Sequence, residues 1–169
     1  LQYARAWAKS EGVADHVRFD LCDYREVRGR FDRIVSVGMF EHVGPPYYET
    51  FFRACRTLLN DDGVMLLHTI GRMGKPGTTD AFTRKYIFPG GMLPSEAALK
   101  PVVADAGLDW GAVDRFGQDY AGTLRLWDER FQAAWDDIRR IGGFDERFRR
   151  LWRFYLAYCE AGFRTARTN

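Results

Sequence analysis

The fold of this chain is constrained most strongly by a repeated pattern. An apolar stretch is followed by a polar side chain, and a helical segment separates each stretch from the next. Three such stretches occupy residues 31–38, 64–67 and, more weakly, 110–116. Glu41, His68 and Tyr120 follow them in that order. Strands that alternate with helices form largely parallel sheets, which bind ligands outside the carboxyl ends of their strands. The sequence therefore predicts an α/β fold in which these three side chains converge on one rim, as in an enzyme.

The remaining segments fit the same alternation. Residues 17–21 form a short strand candidate, and residues 71–94 form a long connection rich in Gly and Pro, which is typical of a lid or substrate loop. Ser95 is predicted to be the N-cap of a helix, and Glu96 places a negative charge in the first turn, which is favourable there. Helical patterns cover residues 1–9, a segment that begins at Pro45-Pro46 and reaches Leu59, and residues 95–106, 123–138 and 145–167.

Composition narrows the function classes. The 169 residues suit one domain, and no run of about 18 apolar residues, as a membrane-spanning helix needs, occurs. No signal peptide is apparent. Because Leu1 lies inside a helical pattern, this leaves open whether a leader precedes it. The net charge of +2 is too small to argue for a nucleic-acid partner. Cys22, Cys55 and Cys159 lie far apart without metal-ligand spacing, so we expect no metal site and a reducing, cytoplasmic setting.

The last third of the chain is strongly basic. Residues 139–167 contain eight arginines against three acidic residues. The final helix carries an apolar stripe that includes Leu151, Tyr155, Cys159 and Phe163. Such a helix either lies on an anionic membrane surface or packs in the core with a solvated polar face, and the second interpretation is the more ordinary one.

Several motifs carry a resemblance to a known family. They are Val35-Ser36-Val37-Gly38-Met39-Phe40-Glu41-His42-Val43-Gly44-Pro45, Leu67-His68-Thr69-Ile70-Gly71 and Lys85-Tyr86-Ile87-Phe88-Pro89-Gly90-Gly91, with further matches at 119–120 and 126–135. Together they closely resemble the cyclopropane-fatty-acyl-phospholipid synthase family of S-adenosylmethionine-dependent methyltransferases. The related mycolic acid cyclopropane synthases are similar more loosely. The resemblance covers nearly the whole chain and implies a Rossmann-like methyltransferase fold.

Parts of that fold are expected outside the 169 residues. The family's glycine-rich methionine-binding loop, the strand before it and the ribose-holding acid should lie upstream of Leu1, as should an active-site cysteine. The last strand of the sheet should follow Asn169. We therefore expect residues 1–169 to be one partial catalytic domain, truncated at the N-terminus and before the last strand.

The resemblance implies a specific reaction. A methyl group of S-adenosylmethionine is delivered to a cis double bond of an unsaturated phospholipid acyl chain, which leaves a carbocation. Bound bicarbonate then removes one proton, and a cyclopropane ring closes. Because bicarbonate both accepts and donates hydrogen bonds, its site needs donors and an acceptor. His68, Tyr120 and the backbone amide of Ile70 are expected to donate, and Glu41 to accept from the bicarbonate hydroxyl.

Cys159 has two interpretations. A cysteine in this helix has been proposed as a nucleophile in the family, which keeps Cys159 among the catalytic candidates. Methyl transfer to an alkene, however, needs no covalent enzyme intermediate. The apolar neighbours of Cys159 predict a buried thiol, which is usually inert, and we favour this second interpretation.

Cofactor contacts are expected after the strand candidate at 17–21. The Asp23 carboxylate would accept from the exocyclic amine of adenine, and the Tyr24 backbone amide would donate to a ring nitrogen. Cys22 takes a place that is often glutamine in the family, and Val37 would pack beside the methionine part. The alternative is a plain turn, in which Asp is common.

The predicted protein is thus a cytoplasmic lipid-modifying enzyme in peripheral contact with an anionic membrane surface, and a homodimer stays open. Aromatic residues either line an acyl channel or serve packing, among them Phe40, Tyr86, Phe88, Trp127 and Trp135. Two alternatives remain. One is a C- or O-methyltransferase that acts on another lipid or hydrophobic metabolite without ring closure. The other is an inactive fragment that binds a lipid surface but not the cofactor.

Overall fold

The computed structural model of this chain describes residues 1–168. Its sheet consists of two parallel strands, β1 (Phe31–Val37) and β2 (Leu59–His68). Ile34 lies opposite Met65 and Val37 lies opposite His68, with an irregularity of the ladder between Phe31 and Arg33. Both strands therefore end at the same edge, which confirms the parallel arrangement predicted for the first two stretches.

Helices make up most of the remaining regular structure. Ser95 and Asp145 cap two of them, because their side chains accept hydrogen bonds from the amides of Ala98 and Phe148. The helices are α1 (Gln2–Ser10), α2 (Tyr48–Leu58), α3 (Glu96–Asp105), α4 (Gly117–Ala133), α5 (Trp135–Ile141) and α6 (Glu146–Arg164). Short 3₁₀ turns occupy Tyr24–Glu26, Phe40–His42 and Pro45–Tyr47, and a π-helical turn occupies Thr83–Ile87.

The first hydrophobic cluster lies between one face of the sheet and the helices α2 and α3. Phe40 is fully buried at its centre and contacts the rings of Tyr48, Phe51 and Phe52. Burial of a side chain of this size contributes about 1.5–3 kcal/mol. Phe40 therefore anchors the 3₁₀ turn that carries the next residue, Glu41.

The second hydrophobic cluster joins α4 to α6. Leu124 of α4 and Leu156 and Phe163 of α6 are buried in it, and Ile70, Tyr120 and Cys159 pack against it as partly buried residues. The apolar stripe of α6 is therefore a packing surface, as the more ordinary interpretation of the sequence had it. Three candidate site residues therefore pack against this cluster, and two of them, Ile70 and Tyr120, lie at the end of β2.

Two of the expected strands are wrong for the described residues. Residues 17–21 and 110–116 have no regular secondary structure, and Tyr120 lies inside α4 instead of following a strand. A strand needs a neighbour for its backbone hydrogen bonds. Among residues 1–168 the ladder consists of β1 and β2 alone, so these segments have no partner there.

The helix boundaries also differ from those expected. The helix predicted at 123–138 begins at Gly117 and is interrupted at Ala134, and the helix expected to reach about Arg167 ends at Arg164. The second strand is longer than the stretch 64–67, since β2 begins at Leu59, and the connection 71–94 contains the π-helical turn. No helix within residues 1–168 combines the length and apolar character needed to cross a bilayer.

Candidate active site

Glu41 lies immediately after β1, on a turn that the local sequence shapes. Gly38 has a φ of 63°, a conformation that glycine adopts at little cost, and it turns the chain away from the strand. The Glu41 carbonyl accepts a hydrogen bond from the Met92 amide at 2.8 Å. Its side-chain Oε1 accepts one from the Ile70 amide at 2.7 Å. The other carboxylate oxygen, Oε2, is buried and has no hydrogen-bond partner.

His68 ends β2 and meets Tyr120 of α4. The Tyr120 hydroxyl lies 3.4 Å from His68 Nε2, whereas the opposite nitrogen, Nδ1, is buried without a partner. Phe116 stacks on the imidazole, with ring centroids 5.6 Å apart, and Phe163 stacks on Tyr120 at 5.3 Å. An aromatic column therefore fixes the orientation of both polar side chains.

The structure brings four of the predicted catalytic residues to one end of the sheet. The Glu41 carboxylate accepts a hydrogen bond from the Ile70 amide, and His68 lies two residues before Ile70. The Tyr120 hydroxyl contacts the His68 imidazole. One detail differs from expectation. The Ile70 amide donates to Glu41 itself, and the atoms left free for a ligand are Glu41 Oε2 and His68 Nδ1.

Cys159 lies on the side of α6 that packs against Tyr120. It is partly buried, and burial raises the pKa of its thiol to about 11. A thiol with this pKa is protonated at neutral pH, and the thiolate is the nucleophilic form. The environment of Cys159 therefore favours the inert interpretation over the nucleophile.

The candidate cofactor residues have more exposed surroundings than the candidate catalytic residues. Asp23 caps a 3₁₀ turn, and both its oxygens accept from Arg25 at 2.5–2.9 Å. The hydrogen bonds from the Arg25 side chain and amide lower the pKa of Asp23 to about 2. Cys22 is exposed, and Val37 is 63% exposed at the end of β1.

A shallow depression of about 260 Å³ adjoins these residues. It is lined by Tyr24, Arg25, Met39, His42, Val43 and Tyr47. Each carboxylate oxygen of Asp23 has two acceptor positions, so the ion pair with Arg25 leaves room for one further donor. Residues 22–24 thus form the turn of the alternative interpretation and still offer an acceptor for an adenine amine.

The segment 79–92 forms one wall between the site and α6. Asp80 accepts from the Tyr158 hydroxyl at 3.1 Å, and the Phe82 and Phe154 ring centroids are 4.7 Å apart. The segment returns to the site through the hydrogen bond from the Met92 amide to Glu41. These contacts place part of the connection 71–94 beside the site, and its role as a lid or substrate loop stays a prediction. Among residues 1–168, no group of three or more His, Cys, Asp or Glu side chains is placed to hold a metal ion.

Reasoning from the sequence missed two site residues. Phe116 was assigned to a strand, although it precedes α4 and covers His68. Arg25 was not considered, although it holds Asp23. The Asp-x-Arg spacing at 23–25 is a usable signal, because an Asp in a turn accepts a hydrogen bond from the backbone amide two residues on, which brings Arg25 beside it. The stacking of Phe116 depends on tertiary contacts and left no comparable signal.

Comparison with known proteins gives concordant results. The protein-family model for mycolic acid cyclopropane synthetase matches residues 1–169. The cyclopropane-fatty-acyl-phospholipid synthase of Escherichia coli is 43% identical over 165 residues, covering 96% of this chain and 41% of that protein. The tuberculostearic acid methyltransferase UfaA1 of Mycobacterium tuberculosis is 41% identical over 167 residues, covering 96% and 39%. The chain thus spans about two fifths of the length of these relatives.

A solved structure extends the likeness to three dimensions. The mycolic acid cyclopropane synthase CmaA1 complexed with SAH and CTAB matches with a TM-score of 0.75 at 31% identity, over 87% of this chain and 55% of that one. This match confirms the Rossmann-like methyltransferase fold expected from the motifs, of which the chain holds a part. The motifs at Glu41 and His68, the parallel strands that carry them and the match over all 169 residues lead to one conclusion: this chain belongs to the mycolic acid cyclopropane synthetase family.

Proposed function

We propose that the full-length protein transfers a one-carbon unit from S-adenosylmethionine to the cis double bond of unsaturated phospholipid acyl chains and closes a cyclopropane ring. The observation that carries this proposal is the meeting of Glu41, His68, Ile70 and Tyr120 at the end of two parallel strands. Family membership supports the methyl donor and the lipid class of the substrate.

The free polar atoms of the site suit bicarbonate. Glu41 Oε2 is an acceptor and His68 Nδ1 is a nitrogen able to donate, and both are buried without a protein partner. A carboxylate alone would repel an anion. A bicarbonate hydroxyl that donates to Glu41 offsets this repulsion, and such a charge-assisted hydrogen bond contributes about 1.5–3 kcal/mol. When bound, bicarbonate supplies the base that removes the proton, and S-adenosylmethionine supplies the electrophilic methyl group.

The contact between Tyr120 and His68 links the direction of their hydrogen bond to the tautomer of the imidazole. If the Tyr120 hydroxyl donates to Nε2, a neutral imidazole carries its proton on Nδ1. The buried, unpartnered nitrogen is then the donor that faces a ligand. The role we assign to Tyr120 is therefore to orient His68 and fix its donor side, in addition to any direct contact with the anion.

The surroundings of these groups suit a positively charged lipid intermediate. Phe116 stacks on His68 with one face and is 44% exposed, and an open aromatic face attracts cations. Ile70 and Phe163 add apolar surface that excludes water. The exclusion of water protects a cationic centre from hydroxylation before the ring closes.

A peripheral contact with an anionic membrane is the second part of the proposal. Arg147 and Arg150 lie exposed on α6 and make no ion pair within the described part of the chain. On the same helix Phe154 is 54% exposed and Tyr158 is 46% exposed. Basic side chains with interleaved aromatic rings are typical of surfaces that meet lipid head groups.

Methylation without ring closure is the second candidate function. The observation that favours it is the 41% identity to a protein named tuberculostearic acid methyltransferase, close to the 43% identity to the cyclopropane synthase. Both reactions add one carbon to the lipid. They differ in the product, because cyclopropanation consumes the double bond while adding only CH₂.

The test is a labelling experiment with the full-length protein. We expect that incubation with methyl-labelled S-adenosylmethionine and vesicles of cis-unsaturated phospholipid transfers the label to the acyl chains. Mass spectrometry should then show the added CH₂ and the loss of the double bond. Vesicles of fully saturated phospholipid are the matched control and should remain unlabelled.

Two outcomes would contradict the proposal in different ways. Label that appears only on a soluble small molecule would exclude the lipid substrate. Labelled lipid that gains CH₂ but keeps a carbon–carbon double bond, because the cation loses its proton without ring closure, would favour the second candidate function.

A further inference from the structure

Tyr48 lies in the core beside the turn that carries Glu41. It is the first residue of α2 and is only 4% exposed. Its ring stacks on Phe40, with centroids 4.7 Å apart and an interplanar angle of 22°. Because Phe40 directly precedes Glu41, this stacking brings Tyr48 next to the active-site turn.

The hydroxyl of Tyr48 has no hydrogen-bond partner in the protein. It is buried, as is Glu41 Oε2, and neither atom has a hydrogen-bond partner within the described residues. More than nine in ten buried polar groups in folded proteins are paired, so an unpaired hydroxyl in a core needs an explanation. A phenylalanine would keep the stacking on Phe40 without burying an unpaired hydroxyl. The hydroxyl therefore has no packing role to explain its presence.

We propose that Tyr48 is a positioning residue for Glu41, whose carboxylate it holds through one ordered water that bridges the Tyr48 hydroxyl and Glu41 Oε2. A water inside a protein typically bonds to polar groups that lack other partners, and it links groups that lie beyond direct hydrogen-bond distance. The Ile70 amide holds Oε1, and the bridge holds Oε2. Since a carboxylate oxygen accepts at two positions, Oε2 still has a position for the bicarbonate hydroxyl.

The electrostatics of Tyr48 agree with this role. Burial and, after it, the negative charge of Glu41 raise the pKa of the Tyr48 hydroxyl. The hydroxyl therefore stays protonated near neutral pH and remains a donor towards Glu41. The carboxylate is thus fixed from two sides, by a backbone amide and by a tyrosine.

The inference rests on the proposed function and is tested with Tyr48→Phe in the full-length protein. We expect the rate at saturating lipid to fall about tenfold, as for the loss of one hydrogen bond to a charged group. The bicarbonate concentration for half-maximal rate should rise by a similar factor. The KM for phospholipid vesicles and the melting temperature should stay unchanged, because the hydroxyl contacts no protein group.

Ser36→Ala is the matched control, since Ser36 Oγ is another buried oxygen without a partner. Its rate and bicarbonate dependence should stay within about twofold of the unmodified protein. Wild-type behaviour of Tyr48→Phe, or a loss that comes with a lower melting temperature and a higher lipid KM, would overturn the inference. Glu41→Gln distinguishes a failure of the role assigned to Tyr48 from a failure of the proposed function. If it loses activity while Tyr48→Phe does not, only the role of Tyr48 fails, whereas full activity of Glu41→Gln removes the proposed function itself.

Discussion

The proposed function depends most on one buried polar atom in each of two residues, Glu41 and His68. Glu41 and His68 each hold one polar atom in a hydrogen bond and leave the other buried and free, at the same end of the sheet. Cys159 lies on the neighbouring helix but has a different character, because burial raises the pKa of its thiol to about 11. This region therefore contains buried polar atoms free to meet a ligand, which we propose to be an anion, and a thiol that stays protonated.

Cys159→Ser should retain substantial turnover in the full-length protein. The proposed reaction needs no covalent step, and the thiol is neutral at assay pH. Placing a hydroxyl in a partly apolar environment should cost about 1–3 kcal/mol of stability, measurable by denaturant unfolding. Cys55→Ser is the matched control, because burial also raises the pKa of the Cys55 thiol to about 11, in the first cluster. A folded Cys159→Ser protein without activity would contradict the assignment.

At the scale of helices and strands, the α4–α6 pair positions the site. Tyr120 and Phe163 stack on each other across the two helices, and Gln118 donates to the Phe163 carbonyl at 3.0 Å. The apolar stripe of α6 was predictable from the sequence because its period matches a helix. The start of α4 at Gly117 was not, since glycine is a poor helix former and tertiary packing overrides that preference.

Leu156→Ala should destabilise the protein by about 2–5 kcal/mol, because it opens a cavity in the second cluster. Leu156 is 1% exposed, between α6 and α4. Leu126→Ala removes the same atoms from a side chain that is 43% exposed, and it should cost far less. Chemical denaturation of the two variants measures the difference. Equal losses would show that α4 and α6 are not held together as described.

At the scale of the whole molecule, residues 1–168 form a part of a larger fold. One face of the sheet is covered by α2 and α3, whereas the other presents Val35, Val37, Val64 and Leu66, each more than half exposed. The parallel order of β1 and β2, which places Glu41 and His68 at the same end of the sheet, was predictable from the alternation of apolar stretches and helical segments. Strands at 17–21 and 110–116 were not formed, because a strand depends on a neighbour that local sequence does not specify.

The 169-residue chain by itself should bind S-adenosylmethionine weakly or not at all. Asp23 and Tyr24 offer contacts to the adenine edge, and the depression beside them is shallow. The family's glycine-rich loop, expected to hold the rest of the cofactor, is not in this sequence. Titration calorimetry should give an affinity weaker than micromolar, which corresponds to about −8 kcal/mol. Micromolar binding by this chain would contradict the expectation, and the full-length protein is the positive control.

In the proposed mechanism, Glu41, His68 and Tyr120 together hold the anion that takes the proton. This mechanism is tested most directly by measuring turnover against bicarbonate concentration for the full-length protein and its Glu41→Gln, His68→Ala and Tyr120→Phe variants. Each variant should lose turnover, because removal of one charge-assisted hydrogen bond weakens anion binding by about 1.5–3 kcal/mol. At least one variant should recover in part when bicarbonate is raised. Near-wild-type turnover of Glu41→Gln and His68→Ala, with no change in bicarbonate dependence, would contradict the account.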